Sequence, residues 1–241
     1  MPVLLLARGD DDARELLKQA IKARYGPRPP AFDALKMQFN GRVHTRLGPI
    51  KTWVPLDVTA QFNLPNQFRW DFTAKPAGVP VRKGTESYDG QHLRTATGVG
   101  GATTNEDQAV IVSFQHRLWA MAALLLTPLG DHFVHLEHKG ELLFSATNTQ
   151  LGATVNVQLA PETYWVDQVY VDCVNPDQQR QQRYRLCPAT TLTAFDDLLM
   201  PSKISGFWDD DPLFEMQPTR AESDPEIPSS IFSIQHPTES A

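Results

Sequence analysis

Between Leu35 and Leu64 the chain alternates apolar and polar residues with a period of two. Leu35, Met37, Phe39 and Val43 fall on one face of a first segment. Ile50, Val54, Leu56, Val58, Ala60, Phe62 and Leu64 share a face of a second, interrupted only by Thr52, with Lys51, Asp57, Thr59, Gln61 and Asn63 opposite. Successive side chains of a strand point to opposite faces, so the pattern predicts antiparallel strands with one face covered and the other wet. Pro65 and Asn66 turn the chain into "LPNQFRWDF" (64–72), which places Phe68, Trp70 and Phe72 on one side of a single short strand. Further strands are predicted at 79–88 and 91–98, joined by an Asp89-Gly90 hairpin turn, and at 132–138, 141–149, 153–159, 164–174, 182–193, 202–208 and 213–219.

Two segments leave this rhythm. Residues 10–24, "DDDARELLKQAIKAR", carry Leu16, Leu17, Ala20, Ile21 and Arg24 at helical spacing, acidic at the start and basic at the end as the helix dipole favours. Gly26, Pro27, Pro29 and Pro30 end the helix. Residues 104–127 predict a second helix, in two pieces, with Thr104 and Asp107 as a capping box. It is apolar on nearly every side from Leu118 to Leu126, and a helix apolar all round must be covered all round. The fold class is therefore α+β: one large curved antiparallel sheet wrapped around an N-terminal and a central helix, a single domain over 10–235 with 1–9 and 236–241 as flexible termini. From Glu222 the tail is rich in Pro and Ser and predicted loose, apart from an apolar touch at Ile231, Phe232 and Ile234.

Composition narrows the function classes. A chain of 241 residues suits one generous domain, and 41% hydrophobic residues exclude a disordered chain. The net charge of −6 and the scattered Lys and Arg exclude both the footprint of a nucleic-acid binder and a polybasic membrane patch. No apolar run approaches the roughly 18–20 residues of a transmembrane helix. The opening "MPVLLLARGDDD" has a greasy burst from Val3 to Ala7 but no basic segment before it and no small-residue cleavage site. Two readings stay open: a protein retained where it is made, or the remnant of a signal peptide that starts upstream. A hairpin turning near Arg180 would set Cys173 opposite Cys187, as a disulfide worth about 3 kcal/mol in an oxidising compartment or as two reduced thiols on facing strands.

Candidate chemistry is sparse. His132, His135 and His138 would gather on a helix, but their segment alternates as a strand, where His135 points away from the other two, so no metal site is expected. "GVGG" at 98–101 lacks the Lys-Ser/Thr of a phosphate cradle, and "WDDDP" at 208–212 lacks the Gly and distal Glu of a calcium loop. No nucleophile elbow is present, and nothing brings partners to lone acids such as Glu86 and Asp89. No catalytic residue and no cofactor is expected. The apolar surface is the stronger signal. Phe62, Leu64, Phe68, Trp70 and Phe72 on the sheet and Trp119, Met121, Leu124 and Leu125 on the helix form either a packed core or the wall of a cavity that admits an acyl chain.

The order of elements adds a resemblance. "ARELLKQAIKAR" leads into a long strand, followed by "LPNQFRW", "YDGQHL", an apolar helix, "LLMPSKI" and a closing "SSIF". Over roughly 13–235 this resembles the LolA/LolB-like superfamily of bacterial outer-membrane lipoprotein-sorting proteins and its uncharacterised envelope relatives. The resemblance implies an incomplete, unclosed β-barrel with helices as a lid, and a cavity that shelters a lipid or the acyl chains of a lipoprotein. It further implies no catalysis and no cofactor; a monomer is expected, with an envelope protein as a possible partner, periplasmic or envelope-associated if a signal peptide lies upstream and cytoplasmic otherwise. The chain departs from the pattern in showing no clear signal peptide or lipidated cysteine, and in offering no match to the arginine that holds the carrier's lid or to the protruding apolar loop of the membrane-bound acceptor. An envelope scaffold or interaction module with the same fold and a filled core is the alternative. An enzyme acting on lipid or glycan would need a convergent His/Asp/Glu set.

Overall fold

A computed structural model describes residues 6–47, 50–75, 82–98 and 101–234. The N-terminal meander runs β2 (Ala34–Leu47), β3 (Ile50–Asn63), β4 (Gln67–Ala74), β5 (Arg82–Tyr88), β6 (Leu93–Thr97) and β7 (Thr103–Asn105). The C-terminal one runs β8 (Val134–Gly140), β9 (Leu143–Asn148), β10 (Ala153–Leu159), β11 (Val166–Asn175), β12 (Arg180–Pro188), β15 (Ile204–Trp208) and β16 (Asp211–Ser223). Pairing of β16 with β2 joins them, and β1 (Arg8–Gly9) adds the outermost strand beside β8. The result is one 14-stranded sheet in the order β1-β8-β9-β10-β11-β12-β15-β16-β2-β3-β4-β5-β6-β7, antiparallel except at β1 and unclosed between β1 and β7. A hairpin of β13 (Leu192–Phe195) and β14 (Leu198–Pro201) stands apart from it.

The period-two pattern sets the inner face. β2 and β3 pair without a break from Ala34↔Asn63 to Leu47↔Ile50, which brings Leu35, Met37 and Phe39 beside Phe62, Ala60 and Val58, all buried. β4 continues the face by pairing Phe68 with Phe62 and with Tyr88. Helix α2 (Gln108–Ala123) lies in the hollow. Phe114 meets Phe68 of β4 at 5.9 Å between ring centroids, while Ser113 touches Cys173 of β11 and Trp119 Nε1 donates to Ala146 O of β9 at 2.9 Å. One helix touching strands so far apart in the order requires a sheet that curls round it. Leu118 through Leu126 are all buried, as a segment apolar on every side demands. Helix α1 (Asp11–Tyr25) buries Ala13, Leu17, Ala20 and Ile21 and ends at Gly26, whose φ of 68° suits the residue after a helix.

Several expectations change. Ile50 does not join the covered face; it is 66% exposed, because the β2–β3 hairpin runs past the core beyond Val54. Thr104 does not cap α2: it lies in β7, and Asp107 alone accepts from the Ala109 and Val110 amides. The helix stops at Ala123, and a 3₁₀ turn at Thr127–Gly130 follows. The segment 182–193 is not one strand, since β12 ends at Pro188 and Leu192 begins a separate hairpin. Residues 6–9, expected loose, are held: the Leu6 and Ala7 amides donate to Gly130 O, Ala7 is buried, and Arg8 pairs with His135. The apolar touch expected in the tail is there at Phe232, which is fully buried and whose carbonyl accepts from Ser87 Oγ at 2.6 Å. Residues 1–5, 79–81, 99–100 and 236–241 of the predicted segments lie outside the described residues.

The cysteine pairing is also corrected. Cys173 stands opposite Gln182, so Cys187 lies five positions further along β12, about 17 Å at roughly 3.3 Å per residue. Gln182 and Cys187 also differ in parity, which puts the two thiols on opposite faces of the sheet, and both are free.

Two measurements check this arrangement. A side chain at Gly41 would meet the Glu215 carbonyl oxygen at 2.2 Å, at the seam of the two meanders. Gly41→Ala will therefore lower stability by about 1–3 kcal/mol in urea unfolding, since the clash is with backbone that cannot rotate away. Alkylation of the denatured, unreduced protein will label both cysteines, and prior reduction will add no label by intact mass. In the native protein Cys187 will react before Cys173, which is buried and whose thiol burial pushes up.

Candidate functional site

The site is built on the inner face of β4. Phe68 is its node: the Phe62 ring lies 4.7 Å away, Trp70 5.2 Å and Phe114 5.9 Å, each near edge-to-face. Tyr88, beside Phe68 on β5, reaches Phe114 at 6.5 Å, and its hydroxyl accepts from Gln115 Nε2 at 2.8 Å. These contacts fix the side of α2 that carries Val110, Phe114 and Leu118 toward the sheet, because residues four apart share a helix face.

Between sheet and helix a cavity of about 10 Å³ remains, lined by Phe62, Leu64, Pro65, Asn66, Phe68, Leu118, Trp119, Ala122 and Leu151. That is room for about one water and for no part of an acyl chain. Of the residues expected to form a wall, the structure thus brings together Phe62, Leu64, Phe68 and Trp119. Trp70 and Phe72 continue the same inner face but are only half-buried; the Phe72 ring fills the place a side chain at Gly84 would occupy. Met121 is buried without lining this cavity. Leu124 and Leu125 are buried beyond the end of α2, where their carbonyls accept from Arg24 and from the Tyr25 hydroxyl. A second space of about 10 Å³ lies there, against Ala20, Arg24, Leu126 and Trp165. Burial holds the Arg24 guanidinium below the usual arginine range and raises the Tyr25 hydroxyl.

Further along α2 the interior becomes polar, which the sequence reading did not anticipate. Ser113 Oγ donates to Cys173 Sγ at 3.5 Å. The Arg117 guanidinium carbon lies 5.7 Å from the Phe114 ring centre and 6.0 Å from that of Trp208, and its Nε is buried with no acceptor among the described residues. Leaving such a donor unmade costs about 1–3 kcal/mol. Tyr184 packs on Trp208 at 5.2 Å, and burial pushes its hydroxyl far above the ordinary value, offset in part by Arg117 and reinforced by Cys173 and Glu86. Glu86 stands opposite Trp70 in the β4–β5 register, on the inner face between Gly84 and Tyr88. The available signal was Arg117 itself, a lone cation one turn beyond Ser113 and Phe114 in a helix otherwise turning apolar.

The other candidates resolve simply. His132, His135 and His138 are all exposed, and His132 precedes β8. The acidic run is a hairpin tip: Asp209 accepts from the Arg183 amide and from Gln182, the backbone bond chiefly drawing its carboxyl below the usual range, while Trp208 points inward and is buried. Asp89, held by Arg94 and the His92 and Gln91 amides, is likewise drawn down against the opposing effect of burial. No helix among the described residues is long and apolar enough to cross a membrane.

No protein-family model and no curated protein matches the sequence. Among solved structures, a DUF1329 family protein from Desulfovibrio piger is similar over 94% of this chain and 100% of its own, with 10% identity and a TM-score of 0.53. A LolA superfamily protein from Nitrosomonas europaea is similar over 91% of this chain and 96% of its own, with 9% identity and the same TM-score, 0.53. The fold is LolA-like: an incomplete antiparallel barrel round helices.

The aromatic node makes a stability prediction. Phe68 is 1% exposed and touches rings on β3, β4 and α2, so Phe68→Ala will cost about 3–5 kcal/mol in denaturant unfolding.

Proposed function

We propose that the protein is a non-enzymatic binder or carrier of a lipid or of a lipoprotein acyl chain, acting as a monomer in the bacterial envelope, with the chain lying between the inner face of β4 and helix α2. The observation that carries this reading is the position of Trp70 and Phe72. They face inward on a LolA-like sheet beside the buried Phe68, yet nothing among the described residues covers them fully. Aromatic surface left half-open on a concave face is where acyl burial, at about 0.8 kcal/mol per CH₂, supplies affinity. The LolA-like fold supports the same reading.

The cavity at Phe62 and Trp119 is too small to hold a chain, so loading requires α2 to move away from β4. That same volume favours a second reading, an envelope interaction module whose core stays filled. Native mass spectrometry of protein purified without detergent, followed by organic extraction, separates the two. A bound species of lipid mass supports the carrier; a bare mass that also refuses added fatty acid and phospholipid supports the module. On the carrier reading, Trp70→Asp will reduce lipid uptake at least tenfold while circular dichroism stays native, because the half-exposed Trp70 site tolerates a polar group that a sealed core does not. Undiminished uptake removes Trp70 from the wall.

A further inference from the structure

The carrier reading leaves the chemistry of the ligand's polar end open, and Arg117 addresses it. Helix α2 packs mainly on apolar side chains, and one place along it gathers polar groups about a cation. There Ser113, Arg117, Cys173, Tyr184 and Trp208 come together from α2, β11, β12 and β15. Within this group Arg117 is a cation whose Nε is sealed from solvent and has no acceptor among the described residues. No carboxylate among the described residues lies within ion-pair distance of it. The rings of Phe114 and Trp208 hold the guanidinium from the side without supplying an acceptor.

We propose that Arg117 receives the head of the bound amphiphile, a monoanionic oxygen group such as a carboxylate or a phosphodiester, while its chain runs along Trp70 and Phe72. The edge of a guanidinium that carries Nε presents two parallel N–H donors, the geometry that a pair of oxygens on one carbon or one phosphorus accepts. Tyr184, beside Trp208, is the neighbouring hydroxyl; Cys173 and Glu86 share its electrostatic environment. The charge balance sets the class. The guanidinium of Arg117 carries a single positive charge, so a head with one negative charge matches it and a dianionic phosphate monoester does not. This inference rests on the carrier reading and sharpens it from any lipid to an acidic one.

The test compares oleate, lysophosphatidylglycerol and oleyl alcohol, which share a chain and differ in the head, by calorimetric titration below their micelle concentrations. The native protein will bind at least one of the two anions tenfold or more tightly than the alcohol, and which one it prefers distinguishes carboxylate from phosphodiester. Arg117→Met will abolish that preference, leave the alcohol's affinity unchanged, and leave the melting temperature of the unliganded protein unchanged or raised, since it removes a cation with no partner. Arg117→Lys keeps the charge without the fork and will lose most of the preference, which carries the test should the Met variant fail to fold. Equal affinity for all three, or a preference that survives in the Arg117 variants, overturns the role of Arg117 and leaves the carrier reading standing. Binding of none of the three overturns both.

Discussion

The pairing of β16 with β2 is the contact on which the architecture depends. Each meander alone is a run of hairpins; only this seam makes one sheet long enough to curl round a helix. β16 follows β2 from Phe214↔Val43 to Ser223↔Leu35, with a register shift between Pro218 and Arg220. Proline lacks the amide that a regular ladder needs, so an irregularity there lets Pro218 stay buried beside Phe39. At Gly41 the absence of a side chain lets the two strands close, because the Glu215 carbonyl occupies the space a Cβ would take. The inner faces of the two meanders then become one concave surface.

Helix α2 answers the need that surface creates. A curled sheet lined with Leu, Met, Phe and Val requires an apolar filling, and a segment apolar on all sides requires a sheet that surrounds it. Each is the other's cover. The far end of α2 is secured by polar contacts as well. Trp119 donates to Ala146 O, and the carbonyls of Leu124 and Leu125, which a helix end leaves without partners, are taken by Arg24 and Tyr25 of α1. This explains why α1 carries a half-buried arginine, Arg24, with no carboxylate partner among the described residues: it donates to a backbone carbonyl.

How much of this the sequence displays depends on whether a feature is local. The alternation from Leu35 to Phe72 identifies β2, β3 and β4 and their inner faces, because period two is a property of the strand itself. Residues 153–159 become β10 with the same bounds for the same reason. Register is different, since it depends on turn geometry: the β11–β12 turn sets Cys173 against Gln182 and separates two cysteines that a symmetric hairpin would have joined. β1 is a strand only because β8 offers its edge, and two residues carry no periodic signal. The aromatic node around Phe68 was legible in the spacing of Phe68, Trp70 and Phe72. Arg117 was not, because its meaning lies in the strands β12 and β15 packed against it and in the acceptor it lacks.

The two ends of α2 are held unequally, and this bears on where the filled core would open. Toward the C-terminal end lie Trp119, the carbonyls taken by α1, and an unbroken run of buried residues from Leu118 to Leu126. Toward the N-terminal end Val110, Ile111 and Val112 are only half-buried, and the side-chain ties to the sheet are those of Gln115 to Tyr88 and Ser113 to Cys173. Local opening draws on the segments with the least burial and the fewest contacts. The end of α2 that is least held is the one whose Phe114 meets Phe68 and Tyr88, and Phe68 in turn packs on the half-covered Trp70. A movement of that end would widen the apolar space between helix and strand while the C-terminal anchors keep α2 attached to the barrel.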